Sequence, residues 1–326
     1  MKKIFITGGA GYVGSKLVPK LLKLGYEVTV LDLMIYGENV LNSHEKLKKI
    51  KGDIRNKSLL EKIIPGHDSV IHLACISNDP SYELNPTLGK SINYDAFEPL
   101  VKVSVESNVN RFIYASSSSV YGIKKEKNVT EDMKLEPLTD YSKFKGECEK
   151  ILNCYKSDNF ITTTIRPSTV CGYAKRQRLD LVVNILTNHA FHNREIKVFG
   201  GDQLRPNVHI DDMVDSYLVI LNAAPKKING QIFNVGFKNQ SVNELANDVK
   251  EVIGYDINII NTKSDDNRSY HVSSEKIKDI LGFETKYTIK DAVLDLKNAF
   301  EKKLLKNTFN DEFFFNIKRM NNINLR

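Results

Sequence analysis

Along the first half of the chain, short runs of β-branched and other apolar residues alternate with longer stretches whose apolar positions recur at helical spacing. This alternation marks an α/β fold, a doubly wound parallel sheet with helices on both faces, because strands buried on both sides read as near-continuous apolar runs. Six strands are expected, at Lys3–Thr7, Glu27–Leu31, Leu47–Lys51, Asp68–Ala74, Arg111–Ala115 and Ile161–Arg166. The clearest helices between them are Val13–Leu24, ended by Gly25 as a C-terminal cap, the long stretch Thr87–Asn108, and Tyr141–Tyr155 with Asp140 as N-cap. After Pro167 the rhythm changes to separate helices at Leu179–Asn193, Asp211–Asn222, Val242–Ile253 and Ile289–Lys303, with short strands near Ile196–Phe199 and Ile232–Val235. The chain is therefore read as a sheet domain over residues 1–167 and a smaller C-terminal α/β lobe over residues 168–326. Its last twenty residues carry many Asn and the cluster Phe309, Phe313, Phe314 and Phe315; a subunit contact and a loosely docked terminus are the two readings of this tail.

Composition narrows the class. With 41% hydrophobic and 27% charged residues, the chain reads as an ordinary globular protein, and disorder is not expected. No run approaches the roughly 18 apolar residues of a membrane span, and the apolar start at Ile4 runs straight into glycines, so neither a span nor a signal segment is read. Cys75, Cys148, Cys154 and Cys171 form no C-x-x-C pair and show no zinc spacing; reduced thiols in a cytoplasmic protein and no metal site are expected. The net charge of +7 is spread along the chain without a dense basic block, so nucleic acid is not the expected partner.

The chemistry begins at Gly8, Gly11 and Gly14, spaced G-x-x-G-x-x-G between the first strand and the first helix. In that setting the glycines permit a tight turn, close approach of the backbone to a pyrophosphate and close helix packing, with the helix N-terminus facing the phosphates. Asp32, at the end of the second strand, is placed to accept hydrogen bonds from an adenosine ribose, and no Arg or Lys lies between Asp32 and Lys46 to offset a ribose phosphate. NAD is therefore expected rather than NADP. Asp53 with Ile54 after the third strand has the placement to contact adenine, with a plain turn aspartate as the other reading.

Three Tyr-x-x-x-Lys pairs occur, Tyr12 with Lys16, Tyr121 with Lys125, and Tyr141 with Lys145, so the spacing alone does not choose among them. Only the third falls on a helix between the fifth and sixth strands, where residues four apart share a face and point together into the cleft at the strand ends. A phenol with an ordinary pKa near 10 becomes a base at neutral pH when a neighbouring ammonium and a cationic nicotinamide stabilise the phenolate. Ser117, within Tyr114-Ala-Ser-Ser-Ser-Ser-Val-Tyr-Gly122, is placed to hydrogen-bond the same substrate oxygen, while Ser116, Ser118 and Ser119 are also read as caps of strand and turn.

The glycine turn, the Ser-Ser-Ser-Ser-Val-Tyr-Gly segment and Tyr141/Lys145 together resemble the NAD-dependent epimerase/dehydratase family, the extended short-chain dehydrogenases with a Rossmann-type domain. Further matching segments are His72-Leu-Ala74, Asn93 in Ile-Asn-Tyr-Asp-Ala, Arg166-Pro167, the stretch Gly200–Asp212 and Leu281-Gly-Phe283. The resemblance implies Ser117, Tyr141 and Lys145 as catalytic residues. It implies a cofactor set of Gly8, Gly11, Tyr12, Val13, Gly14, Asp32, Asp53, Ile54, Leu73 and Ala74, with Lys145 holding the nicotinamide ribose. It implies substrate contacts at Ser118, Thr169, Arg205 and Arg268, the two arginines gripping a nucleotide diphosphate or, on the plain reading, forming surface ion pairs. Thr169 stands where the family carries a substrate-contacting Asn, and Cys171 where it carries a Tyr.

The implied substrate is a nucleotide sugar, oxidised first at carbon 4, in a homodimer packed through the helices at 87–108 and 141–155. The related 4,6-dehydratases place an Asp-Glu pair where this chain has Ser118 and Ser119. A 4-epimerase is therefore the leading expectation. A 4-dehydrogenase that releases the keto sugar is the alternative, which the stretch Gln177–Asn184 and the Asn/Phe tail resemble. A non-catalytic NAD-binding regulator is disfavoured because both Tyr141 and Lys145 are retained.

Overall fold

A computed structural model describes residues 2–126, 128–263, 269 and 271–326. The expected apolar runs form β1 (Lys3–Thr7), β2 (Glu27–Asp32), β3 (Leu47–Lys51), β4 (Ser69–His72), β5 (Arg111–Ala115) and β6 (Ile161–Pro167). Beyond them lie β7 (Thr169–Cys171), β8 (Glu195–Phe199), β9 (Leu204–His209), β10 (Gln231–Val235), β11 (Lys238–Ser241) and β12 (Asn258–Thr262). Seven strands make one parallel sheet in the order β10-β6-β5-β4-β1-β2-β3. Successive residues of β1 serve opposite faces: Ile4 and Ile6 enter one apolar core and Phe5 the other, as a strand covered on both sides requires. The strand order reverses between β1 and β4, so the crevice for a ligand opens beyond the carboxyl ends of these strands.

Several sequence expectations need correction. The strand at 232–235, assigned above to the smaller lobe, is β10, and it pairs with β6 as the seventh strand of the large sheet. The stretch Thr87–Asn108 is not one helix: Pro86–Lys90 and Phe97–Glu106 flank a wide π turn at Ser91–Asp95. That turn aims Asn93 at the loop after β4, where its amide clasps Ile76 through Oδ1 at 2.8 Å and Nδ2 at 2.9 Å. The cap of the helix Asp140–Tyr155 is Thr139, whose hydroxyl accepts from the Ser142 N–H, and Asp140 is the first helical residue. The helix expected from Leu179 starts at Val182, and residues 176–180 ahead of it form a loop against the cleft.

The smaller lobe holds the three-stranded sheet β11-β9-β7 and the pair β12-β8. The helices Val182–Asn193, Val242–Ile253 and Ile289–Glu301 pack there around one apolar cluster. The tail is neither loose nor remote. Phe314 and Phe315 pack beside Phe300, and the helix Asn316–Asn322 crosses back so that Met320 enters the core on the face of the large sheet that Phe5 serves. Among the described residues no helix is long and apolar enough to cross a membrane.

Two buried polar arrangements stiffen the sheet beneath the crevice. Glu149, on the helix Asp140–Tyr155, receives Arg166 of β6 at 2.7 and 3.0 Å and the Ser116 hydroxyl at 2.5 Å. Arg166 also donates to the Tyr121 hydroxyl at 2.7 Å, which donates to Asn234 of β10 at 2.7 Å. His72 of β4 pairs Nδ1 with the Thr7 hydroxyl at 2.7 Å and stacks on Tyr114. Burial above all, with the Lys145 ammonium second, lowers the His72 pKa from 6.5 to about 3.

The folded chain thus keeps His72 neutral where the unfolded chain binds a proton. Its contribution to stability is complete above about pH 6.5 and is lost on acidification toward about pH 3, at up to about 1.4 kcal/mol per pH unit. In urea unfolding at a series of pH values, His72→Asn is expected to flatten the acid limb by about one proton. An unchanged slope would assign the acid sensitivity to other groups.

Candidate active site

The glycine turn is built as its spacing predicts. Gly8 has φ +72°, and a Cβ there would lie 2.5 Å from the Ala74 backbone nitrogen; one at Gly14 would lie 2.4 Å from the Gly9 carbonyl oxygen. The turn therefore sits directly against the end of β4. Asp32 faces it, accepting from the Ala10 N–H at 2.9 Å and the Met34 N–H at 2.8 Å. Burial raises the Asp32 carboxyl above its ordinary value, against the pull of those two N–H groups and of Arg176. Asp53 is gripped by Arg55 at 2.6 Å; burial pushes this carboxyl up, and the Arg55 hydrogen bonds and charge outweigh it, leaving the pKa low.

Geometry separates the three Tyr-x-x-x-Lys pairs. The Tyr12 hydroxyl donates to the Gly172 carbonyl at 2.5 Å and Lys16 pairs with Asp211 at 2.9 Å, so this pair braces the two lobes. Tyr121 is committed to the Arg166–Asn234 network. Tyr141 and Lys145 remain, on one face of the helix Asp140–Tyr155, with the ammonium 6.0 Å from the phenol ring centroid and donating to the Ala115 carbonyl at 2.7 Å. Burial, then Cys75 and Asp79, pushes the Tyr141 phenol above its ordinary value, while the Asn78 N–H and Arg178 pull it down.

Ser117, at the end of the β5 segment, heads a chain of hydroxyls. It meets Ser119 at 2.8 Å, Ser119 meets Ser142 at 2.9 Å, Ser142 meets Thr139 at 3.0 Å, and Thr139 donates to the Asp79 carboxylate at 2.5 Å.

One cavity of about 520 Å³ brings these groups together. Its wall includes Gly8, Gly11, Tyr12, Val13, Gly14, Asp32, Asp53, Ile54, Leu73 and Ala74, then Ser117, Ser118, Tyr141 and Lys145, and from the smaller lobe Thr169 and Arg205. Arg268 lies outside the described residues. The same wall carries residues that the sequence analysis does not place there: Tyr36, Ser77, Asp79, Arg176, Arg178, Asp180 and Asn316. Arg176 stacks on Tyr36 at 3.6 Å, and Arg178 joins Asp180 at 2.8 Å and Ser77 at 3.0 Å. Two arginines bracketing Gln177 just ahead of the apolar run Leu181-Val182-Val183 are the one signal that could have exposed them.

The donor set fits an anionic dinucleotide. Arg176 and Arg178 are 3% and 7% exposed, yet Nε of the first and Nη2 of the second have no acceptor among the described residues. Buried guanidinium N–H groups left in this way are costly unless an anion accepts from them. With the glycine cradle on one side and Asp32 at its edge, the cavity offers phosphate donors and a ribose acceptor at the switch point of the sheet.

Known proteins resemble this chain over most of its length. The family model for the NAD-dependent epimerase/dehydratase family matches residues 4–236. A UDP-glucose 4-epimerase of Lactobacillus helveticus is 29% identical over 313 residues, covering 90% of this chain and 94% of that protein. The crystal structure of a UDP-glucose 4-epimerase from Thermotoga maritima with UDP-glucose superposes with a TM-score of 0.84 at 26% identity, covering 93% of this chain and all of that one. MoeE5, solved in complex with UDP-glucuronic acid and NAD, is 25% identical with a TM-score of 0.80, over 92% of this chain and 99% of its own. The chain belongs to the NAD-dependent epimerase/dehydratase family, and NAD is its cofactor.

Proposed function

We propose that the chain is a nucleotide-sugar 4-epimerase that works by transient oxidation at sugar carbon 4. The observation that carries this reading is the single cavity in which Ser117, Tyr141 and Lys145 face the glycine cradle, with hydroxyls rather than carboxylates at Ser118 and Ser119. The similarity to 4-epimerases over most of both chains supports it.

In this mechanism Tyr141 takes the proton of the carbon-4 hydroxyl, and Ser117 holds the same oxygen. Lys145, anchored on the Ala115 carbonyl, holds the nicotinamide ribose and keeps positive charge near the phenol. NAD, when bound, supplies the hydride acceptor and donor together with a cationic ring beside Tyr141. Arg205, held at the mouth of the smaller lobe by the β9–β11 pairing, binds the nucleotide diphosphate, and Ser118 and Thr169 line the path of the sugar. Epimerisation then needs only that the 4-keto sugar turn within the cavity before its reduction from the opposite face. A dehydration at carbons 5 and 6 needs a further acid and base, and positions 118 and 119 supply neither.

The test is incubation of the purified protein with a panel of nucleotide sugars, following NADH absorbance together with product mass and NMR. The expected result is a product of unchanged mass, inverted at carbon 4, without net NADH. Loss of two hydrogens with stoichiometric NADH would assign a 4-dehydrogenase instead, and loss of water a dehydratase.

A further inference from the structure

The residues that close the cofactor cavity come from the far end of the chain. Asn316, 4% exposed, is held from three sides. Its Oδ1 accepts from the Tyr36 hydroxyl at 2.8 Å and from Arg176 at 2.5 Å, its Nδ2 donates to the Ser77 hydroxyl at 3.1 Å, and its backbone N–H donates to Asp180 at 3.0 Å. Three residues on, Arg319 donates to the Ile35 carbonyl at 2.5 Å; at the terminus the Arg326 carbonyl accepts from Arg55 at 2.9 Å. Ile35 and Tyr36 follow β2, Arg55 follows β3 and Ser77 follows β4. One segment therefore spans three of the loops that border the cavity beside Asp32 and Asp53, and Asn316, Met320 and Leu325 form part of the wall there.

We propose that residues 316–326 form a strap that closes the adenosine end of the cavity and sets the rates at which NAD enters and leaves, with Asn316 as its latch. The idea rests on NAD as the cofactor and not on the sugar chemistry, so it stands or falls separately from the proposed reaction. The physical reasons are two. A segment that belongs to no sheet and is joined to the loops by a few hydrogen bonds opens at a small fraction of the free energy of global unfolding, so it can release without disturbing the sheet. Its anchors are side-chain hydrogen bonds to buried or charged partners, each strong enough to hold the closed state and few enough to break together.

The test uses full-length protein and NADH fluorescence. Mixing NADH with the protein gives the entry rate, and chasing the complex with excess NAD gives the release rate. Asn316→Ala is expected to raise both about tenfold, the effect of losing about 1.4 kcal/mol from the closed state. Because Asn316 also touches Arg176, a second variant is needed. Arg319→Ala lies off the cavity wall, where the side chain donates to the Ile35 carbonyl and to Glu312 and lies over the Phe313 ring; it is expected to shift both rates in the same direction, with the fold checked by thermal unfolding. Entry and release within about twofold of wild type in both variants, or faster release with unchanged entry, overturns the strap.

Discussion

Tyr141→Phe is expected to lower turnover by about 10³-fold, within the range for loss of a positioned acid–base group, while leaving bound NAD in place. The substitution removes one hydroxyl from a nearly buried ring that packs against Tyr82 and leaves the ring itself in position, so neither a cavity nor a new charge is created. The cradle at Gly8 and Asp32 is untouched. The measurement pairs turnover of the nucleotide sugar with the NAD content of the purified variant. Retained NAD with collapsed turnover is the expected result. Turnover within tenfold of wild type would move the proton acceptor elsewhere, and the hydroxyl chain from Ser117 to Asp79 is the first place to look.

Glu149→Ala is expected to cost about 3–5 kcal/mol of stability, because it strands the Arg166 guanidinium inside the sheet. Both partners are almost fully buried, and Glu149 accepts two of the Arg166 N–H groups and the Ser116 hydroxyl together. Removal leaves the Arg166 guanidinium, among the described residues, only the Tyr121 hydroxyl and the Glu131 carbonyl as acceptors. The same network ties the helix bearing Tyr141 and Lys145 to β5 and β6, so residual activity should fall more steeply with temperature than in wild type. Urea unfolding measures the loss, and the apolar double variant Glu149→Leu with Arg166→Met is expected to lose less than Glu149→Ala alone, since no charge remains buried without a partner. A loss below about 1 kcal/mol for Glu149→Ala would show that water reaches Arg166.

Features encoded over a few adjacent residues were legible in the sequence. The runs at Lys3–Thr7 and Arg111–Ala115 are strands because segments of that length rich in β-branched or aromatic residues satisfy both faces of a covered sheet. Gly8, Gly11 and Gly14 announce a phosphate turn by their spacing, and at Gly8 and Gly14 a Cβ would collide with backbone. Tyr141 and Lys145 share a face because helical geometry puts residues four apart together. Where local rules erred, a distant partner was deciding. The stretch 87–108 has helical periodicity throughout, yet it widens at Ser91–Asp95 to bring Asn93 to Ile76. β10 looked like a lobe strand because its position in the large sheet depends on pairing with β6, which periodicity does not carry.

The sequence by itself therefore determined the parallel α/β plan, the glycine cradle with Asp32, and the family to which Ser117, Tyr141 and Lys145 point. Only the tertiary structure decided what holds Tyr12 and Tyr121 away from that role, that Arg176 and Arg178 are buried in the cleft wall, and that the tail returns over the cofactor cavity. The physical reason is range. Turns, caps and helical faces are set by neighbours within a few positions, whereas Asn316 meets Tyr36 across 280 positions and Arg176 across 140, contacts that exist only once two hydrophobic cores have formed and brought the lobes together.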